Sequence, residues 1–195
     1  PISKPRLRAP RAYRDDSHLA DRAVAIGPGR HALTVDARLQ ARLEQLATRA
    51  MARRDPRLSL AIVLADGLSS FAVENNGPAL IAALGDIAPD VANAPVFLVE
   101  QARVAIGDHI ATALQAEAVL VLIGERPGLS VSDSLGAYFP WDPQPGLPDS
   151  RRNCVSNIHS NGGLSAKDAA GRIAWLWREA CRMGTSGVTL KDMSD

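Results

Sequence analysis

The sequence predicts an α/β fold, and three observations predict it. Ala118–Ile123 is a run of six apolar residues without polar alternation, as expected of a strand covered on both faces. Leu58–Ala65 and Pro95–Glu100 carry similar signatures upstream. Helix signals lie between these runs, and strand and helix in alternation build a sheet through right-handed crossovers. The architecture expected is a Rossmann-like three-layer sandwich with a mostly parallel sheet, preceded by an irregular lead-in and one helix.

A chain of 195 residues with 46% hydrophobic and 22% charged content supports one sizeable core. The division expected is a lead-in at 1–33 and a single α/β domain at 34–195. No window reaches the apolar length of a membrane span, and no charged-then-apolar amino end with a small-residue cleavage site is present. A soluble, cytoplasmic protein with no membrane partner is therefore expected. Cys154 and Cys181 belong to no Cys-x-x-Cys or Cys/His cluster, which argues against a metal site and against a disulfide framework. Net charge is +1, yet residues 1–30 carry seven Lys/Arg against three Asp. That basic stretch has one aromatic residue, Tyr13, and is punctuated by Pro1, Pro5 and Pro10. It reads as an extended strap along another surface and not as a nucleic-acid arm.

Taken in order, residues 1–33 lack periodicity and are broken by Gly27-Pro28-Gly29. Thr34 suits the cap of a helix whose Leu39, Leu43, Leu46 and Ala50 share a face, ending near Arg54 before Pro56. The strand at Leu58–Ala65 stops at Asp66-Gly67-Leu68-Ser69, followed by a helix from about Ser69 and a second helix opened by Pro78. After the strand at Pro95–Glu100, a short helix is expected from about Asp108 to Gln115, then the strand at Ala118–Ile123. Leu135–Phe139 and Cys154–Ile158 read as two further strands joined by a proline-rich loop, Pro140–Pro148. Ser165 and Asp168 form a capping pair for a long helix to about Met183, closed by Gly184. A last strand is expected at Val188–Leu190.

Several chemistries are absent. Gly-x-Ser-x-Gly, Gly-x-Gly-x-x-Gly and a Walker lysine do not occur, and His18, His31, His109 and His159 share no spacing. His109 beside Asp108 is not an acid/base pair, because adjacent helical residues point apart. The stretch that carries promise is the loop after Ala118–Ile123, where Glu125 and Arg126 stand between Gly124 and Gly128 and Pro127 fixes one backbone angle. In open α/β sheets ligands bind beyond the carboxyl ends of the strands. On the residues alone, Glu125 is equally a solvated turn residue, Val104 ordinary core and Cys154 a small buried hydrophobe.

Three segments carry a resemblance. Arg103-Val104-Ala105-Ile106-Gly107-Asp108 comes first. Leu122-Ile123-Gly124-Glu125-Arg126-Pro127-Gly128-Leu129 follows, with Asp133-Ser134-Leu135-Gly136-Ala137-Tyr138, and then Arg152-Asn153-Cys154-Val155-Ser156-Asn157-Ile158. In order and spacing these resemble the ethanolamine ammonia-lyase small subunit, over roughly Leu58 to Asp192. Members carry a further helical amino-terminal region that is not recognisable here, so a trimmed or short member is expected.

The resemblance implies part of an adenosylcobalamin-dependent lyase that converts ethanolamine to acetaldehyde and ammonia. It assigns the amine-binding and radical-handling residues to a large subunit, a barrel, and gives the small subunit a share in holding the cofactor at their boundary. Cofactor-binding roles fall by resemblance on Val104, Glu125 and Cys154, with no catalytic residue and no metal ligand in this chain. Asp16-Ser17-His18 lacks the glycine of the cobalt-histidine motif, in keeping with a family that needs no such ligand. A hetero-oligomer in the cytoplasm or in a bacterial microcompartment is implied. A free-standing small-molecule-binding α/β domain and a purely structural assembly subunit remain the alternatives.

Overall fold

A computed structural model describes residues 23–26, 59–88, 91, 94–100, 102–125 and 131–190. The helix expected at 34–54 lies outside the described residues. The elements are β1 (Ala23–Ile26), β2 (Leu60–Ala65), α1 (Ser70–Ile87), β3 (Val96–Val99), α2 (Ile106–Leu114), β4 (Ala118–Gly124), β5 (Leu135–Pro140), β6 (Arg152–Ile158) and α3 (Ala166–Met183). Short 3-10 turns occupy Asp149–Arg151 and Gly187–Thr189.

One six-stranded sheet runs β1-β3-β2-β4-β5-β6. The first three pairings are parallel, and β4–β5 and β5–β6 are antiparallel, so the sheet is mixed. The reversal follows from the connections. A parallel return needs a crossover of about a dozen residues or more, usually a helix. Neither the β4–β5 link at 125–134 nor the β5–β6 link at 141–151 holds an α-helix among its described residues.

Alternate residues of the strands feed two cores. Leu60, Ile62 and Leu64 of β2 with Leu120 and Leu122 of β4 pack under α1 and α3, where Leu80, Leu84, Ile173 and Trp177 meet them. Phe139 and Trp177 meet edge to face, with ring centroids 6.2 Å apart. Ala61, Val63, Val119 and Val121 point the other way, to Ile106 and Ile110 of α2. Because both faces are covered, every residue of β2 and β4 is buried, which is why they read as unbroken apolar runs. The nine-residue α2 leaves Cys154, Ser156 and Asn157 of β6 exposed.

Three expectations are corrected. Pro78 lies inside a single helix, α1, and opens no second one. Val73 before it and Leu80, Ile81 and Leu84 after it bury one continuous face, and that packing outweighs the lost hydrogen bond. Val188–Leu190 is not a strand: Asn153 Nδ2 donates to Gly187 O at 3.2 Å and Leu190 O at 2.6 Å, and Gly187 N–H donates to Asn153 Oδ1 at 2.7 Å, winding the segment into a turn. The stretch read as a mostly irregular lead-in holds a strand, β1, paired in parallel with β3.

Candidate functional site

Glu125 stands just past the carboxyl end of β4. Its backbone N–H donates to Ser134 O at 2.9 Å, closing the base of the loop. Its carboxylate is held at one oxygen: Ser134 Oγ donates to Oε2 at 2.6 Å, and the Asn157 backbone N–H donates to the same atom at 3.3 Å. Oε1 takes no hydrogen bond from the described residues. The carboxylate lies against β5 where Gly136 leaves room, since a Cβ there would stand 2.9 Å from Oε1 and 3.2 Å from Cγ.

Asn157 reaches Glu125 because β6 bulges. Leu135 pairs with Ile158 and Ala137 with Val155, so Ser156 and Asn157 together oppose Gly136. Asn157 takes φ 60, in the left-handed region that asparagine enters more readily than most residues.

Tyr138 and Cys154 face each other across β5 and β6. Tyr138 is half-buried and packs against the α2 core, whereas Cys154 is exposed. Burial pushes the phenol up to about 12, and the neighbouring Cys154 and Glu125 add to the shift. Although Cys154 is exposed to solvent as a residue, desolvation by its surroundings raises its pKa, the Tyr138 hydrogen bond opposing and Glu125 adding. The phenol therefore serves as a donor at neutral pH, with the thiol beside it protonated.

Val104 lies in the turn that opens α2, its C=O accepting from Gly107 N–H at 3.1 Å. Its half-buried side chain packs against the same core as Tyr138. Arg103 Nη1 donates to Gly67 O at 3.2 Å, fastening that turn to the β2–α1 loop. Glu125 and Tyr138 thus both border Gly136, Cys154 pairs with Tyr138 across the strands, and Val104 packs against the same apolar core as Tyr138.

Tyr138, Ser134, Gly136 and Asn157 surround the site and were not singled out from the sequence. Tyr138 was the most accessible of them: period-2 alternation along β5 places it on the side of Gly136. His109 forms no pair with Asp108, whose carboxylate turns to Arg152 at 2.7 and 2.8 Å. Burial lowers the His109 pKa, Asp108 opposing. A separate cleft of about 630 Å³ opens at the other end of β4, lined by Gln115, Glu117, Trp141 and Asp142 among others; Val104, Glu125 and Cys154 take no part in it.

The ethanolamine ammonia-lyase light chain family matches residues 35–191. An ethanolamine ammonia-lyase small subunit of Pseudomonas aeruginosa (strain LESB58) is 49% identical over 143 residues, 72% of this chain and 52% of that protein. That of Pseudomonas fluorescens (strain Pf0-1) is 52% identical over 137 residues, covering 69% and 50%. That of Xanthomonas campestris pv. campestris (strain B100) is 49% identical over 138 residues, covering 70% and 50%. The chain spans about half the length of the curated relatives it matches. With the match extending from before β2 to beyond α3, this chain belongs to the ethanolamine ammonia-lyase light chain family.

Proposed function

We propose that this chain is the cofactor-contacting part of the small subunit of an adenosylcobalamin-dependent ethanolamine ammonia-lyase, acting in a hetero-oligomer with a barrel-type large subunit. The α/β sandwich is read as Rossmann-like, with the ligand beyond the carboxyl ends of β2, β3 and β4, where Gly67, Val104 and Glu125 stand. The reading places the assembly in the cytoplasm or a bacterial microcompartment. Among the described residues no helix is long and apolar enough to cross a membrane.

The observation that carries the reading is the state of the Glu125 carboxylate: Oε2 is held by two donors, while Oε1 is left without one among the described residues. An acceptor so presented fits the amide side chains at the rim of a corrin, which offer N–H donors. Val104 supplies apolar contact, and the Tyr138–Cys154 pair borders the carboxylate with a protonated phenol and thiol. When bound, the cofactor supplies the radical chemistry. The residues of this chain orient it and keep water from its edge.

The amine-binding groups belong, in this reading, to the large subunit. The purified chain alone produces no acetaldehyde from ethanolamine, and activity appears on mixing with the large subunit and cofactor. Turnover by the isolated chain would overturn the assignment. Failure to associate with a large subunit would instead favour a free-standing ligand-binding domain.

A further inference from the structure

We propose that His159 is a positioning residue for Glu125, acting through Asn157; the proposal rests on the reading of Glu125 as the ligand-facing carboxylate. His159 follows β6 directly and is 4% exposed. Its Nε2 lies 2.8 Å from Asn157 Oδ1. An amide oxygen only accepts, so Nε2 is the donor in this contact. Nδ1 is buried and has no partner among the described residues.

The Asn157 carbonyl is tied down as well. Leu164 N–H donates to Asn157 O at 2.8 Å, and His159 N–H donates to Leu164 O at 3.2 Å. Gly163 packs on the imidazole so closely that a Cβ would overlap Nε2. With side chain and carbonyl both engaged and φ held at 60, the Asn157 N–H is directed out of the β5–β6 ladder, to Glu125 Oε2. Released from His159, Asn157 would relax toward ordinary strand angles and withdraw that donor. A buried nitrogen without a partner destabilises the fold, and an apolar side chain would avoid it. The fold tolerates Nδ1 because Nε2 sets the bulge that orients the carboxylate.

The test compares two variants of the full chain by NMR. His159→Leu removes the donor, and His159→Gln retains an N–H. In His159→Leu the Asn157 amide exchanges about tenfold faster and the Glu125 carboxyl carbon shifts, while Val121 and Leu122 amides keep their protection. His159→Gln returns both signals toward the parent. Unchanged exchange at Asn157 in His159→Leu would overturn the proposal, as would equal loss of protection along β5 and β6 in both variants, which marks a merely structural role. If leucine at 159 prevents folding, His159→Gln decides: parent-like exchange at Asn157 upholds the proposal, and exchange as fast as in Asn157→Ala overturns it. Parent-like cofactor binding by Glu125→Gln would remove the ligand reading of the site without altering these amide results, so the two failures are distinguishable.

Discussion

Arg152 of β6 and Asp108 of α2 form a two-bond ion pair, Nη1 to Oδ1 at 2.7 Å and Nη2 to Oδ2 at 2.8 Å, with side chains only 5% and 1% exposed. It binds the strand that carries Cys154 to the helix whose opening turn carries Val104. The hydrogen bond to Asp108 raises the Arg152 pKa. Removing Asp108 leaves the buried guanidinium with only Leu147 O at 2.8 Å and the fully exposed Asp149 at 3.5 Å. Asp108→Ala is therefore expected to lower stability by about 3–5 kcal/mol. Asp108→Leu combined with Arg152→Met should recover most of that, because both desolvation penalties vanish together. Denaturant midpoints check both; a loss under about 1 kcal/mol would mark an ordinary surface pair.

Tyr138 gives the pH prediction. Its folded pKa, about 12, lies above the ordinary value of 10.0, so the native state holds the proton longer than the unfolded chain. The stabilisation is fully present below pH 10 and is lost as pH rises through about 12. Ultraviolet titration of tyrosinate should show a late phase that Tyr138→Phe abolishes. The same substitution removes the hydrogen bond that favours the Cys154 thiolate, so alkylation of Cys154 should slow further at any fixed pH. Faster alkylation in Tyr138→Phe would contradict the pairing.

Gly136→Ala tests how the carboxylate is seated. The new Cβ would sit 2.9 Å from Glu125 Oε1 and 3.1 Å from the Tyr138 ring, forcing the carboxylate off β5 while leaving the backbone ladder intact. Cooperative unfolding should persist, and cofactor affinity should fall by ~1–3 kcal/mol, the range for a lost hydrogen bond to a charged group. Parent-like affinity in the folded variant would show that the seating of Glu125 over Gly136 is irrelevant to the site.

Local signals made parts of this fold legible. Ser165 Oγ accepts from Asp168 N–H at 3.1 Å and donates to Asp168 Oδ2 at 2.6 Å, and Gly184 ends α3 with φ 63, because capping depends on neighbours within one turn. The apolar runs of β2 and β4 were readable because burial on both faces removes alternation. Distant contacts decided what was not legible. The turn at Gly187–Thr189 depends on Asn153, and the Arg152–Asp108 pair spans 44 positions. At the site, Glu125 and Cys154 were reachable through motif resemblance. The left-handed Asn157 was not, since its side chain and carbonyl meet His159 and Leu164 only across a tight return of the chain.

The central claim is that the face carrying Glu125, Cys154 and Val104 holds the cofactor. Cobalamin titration of the chain reconstituted with a large subunit, followed by the visible spectrum, tests it most directly. Glu125→Gln should weaken binding by ~1–3 kcal/mol. Cys154→Ser, close in size, should weaken it less, and Val104→Asp most, by setting a charge against an apolar edge. Parent-like affinity in all three folded variants would contradict the account.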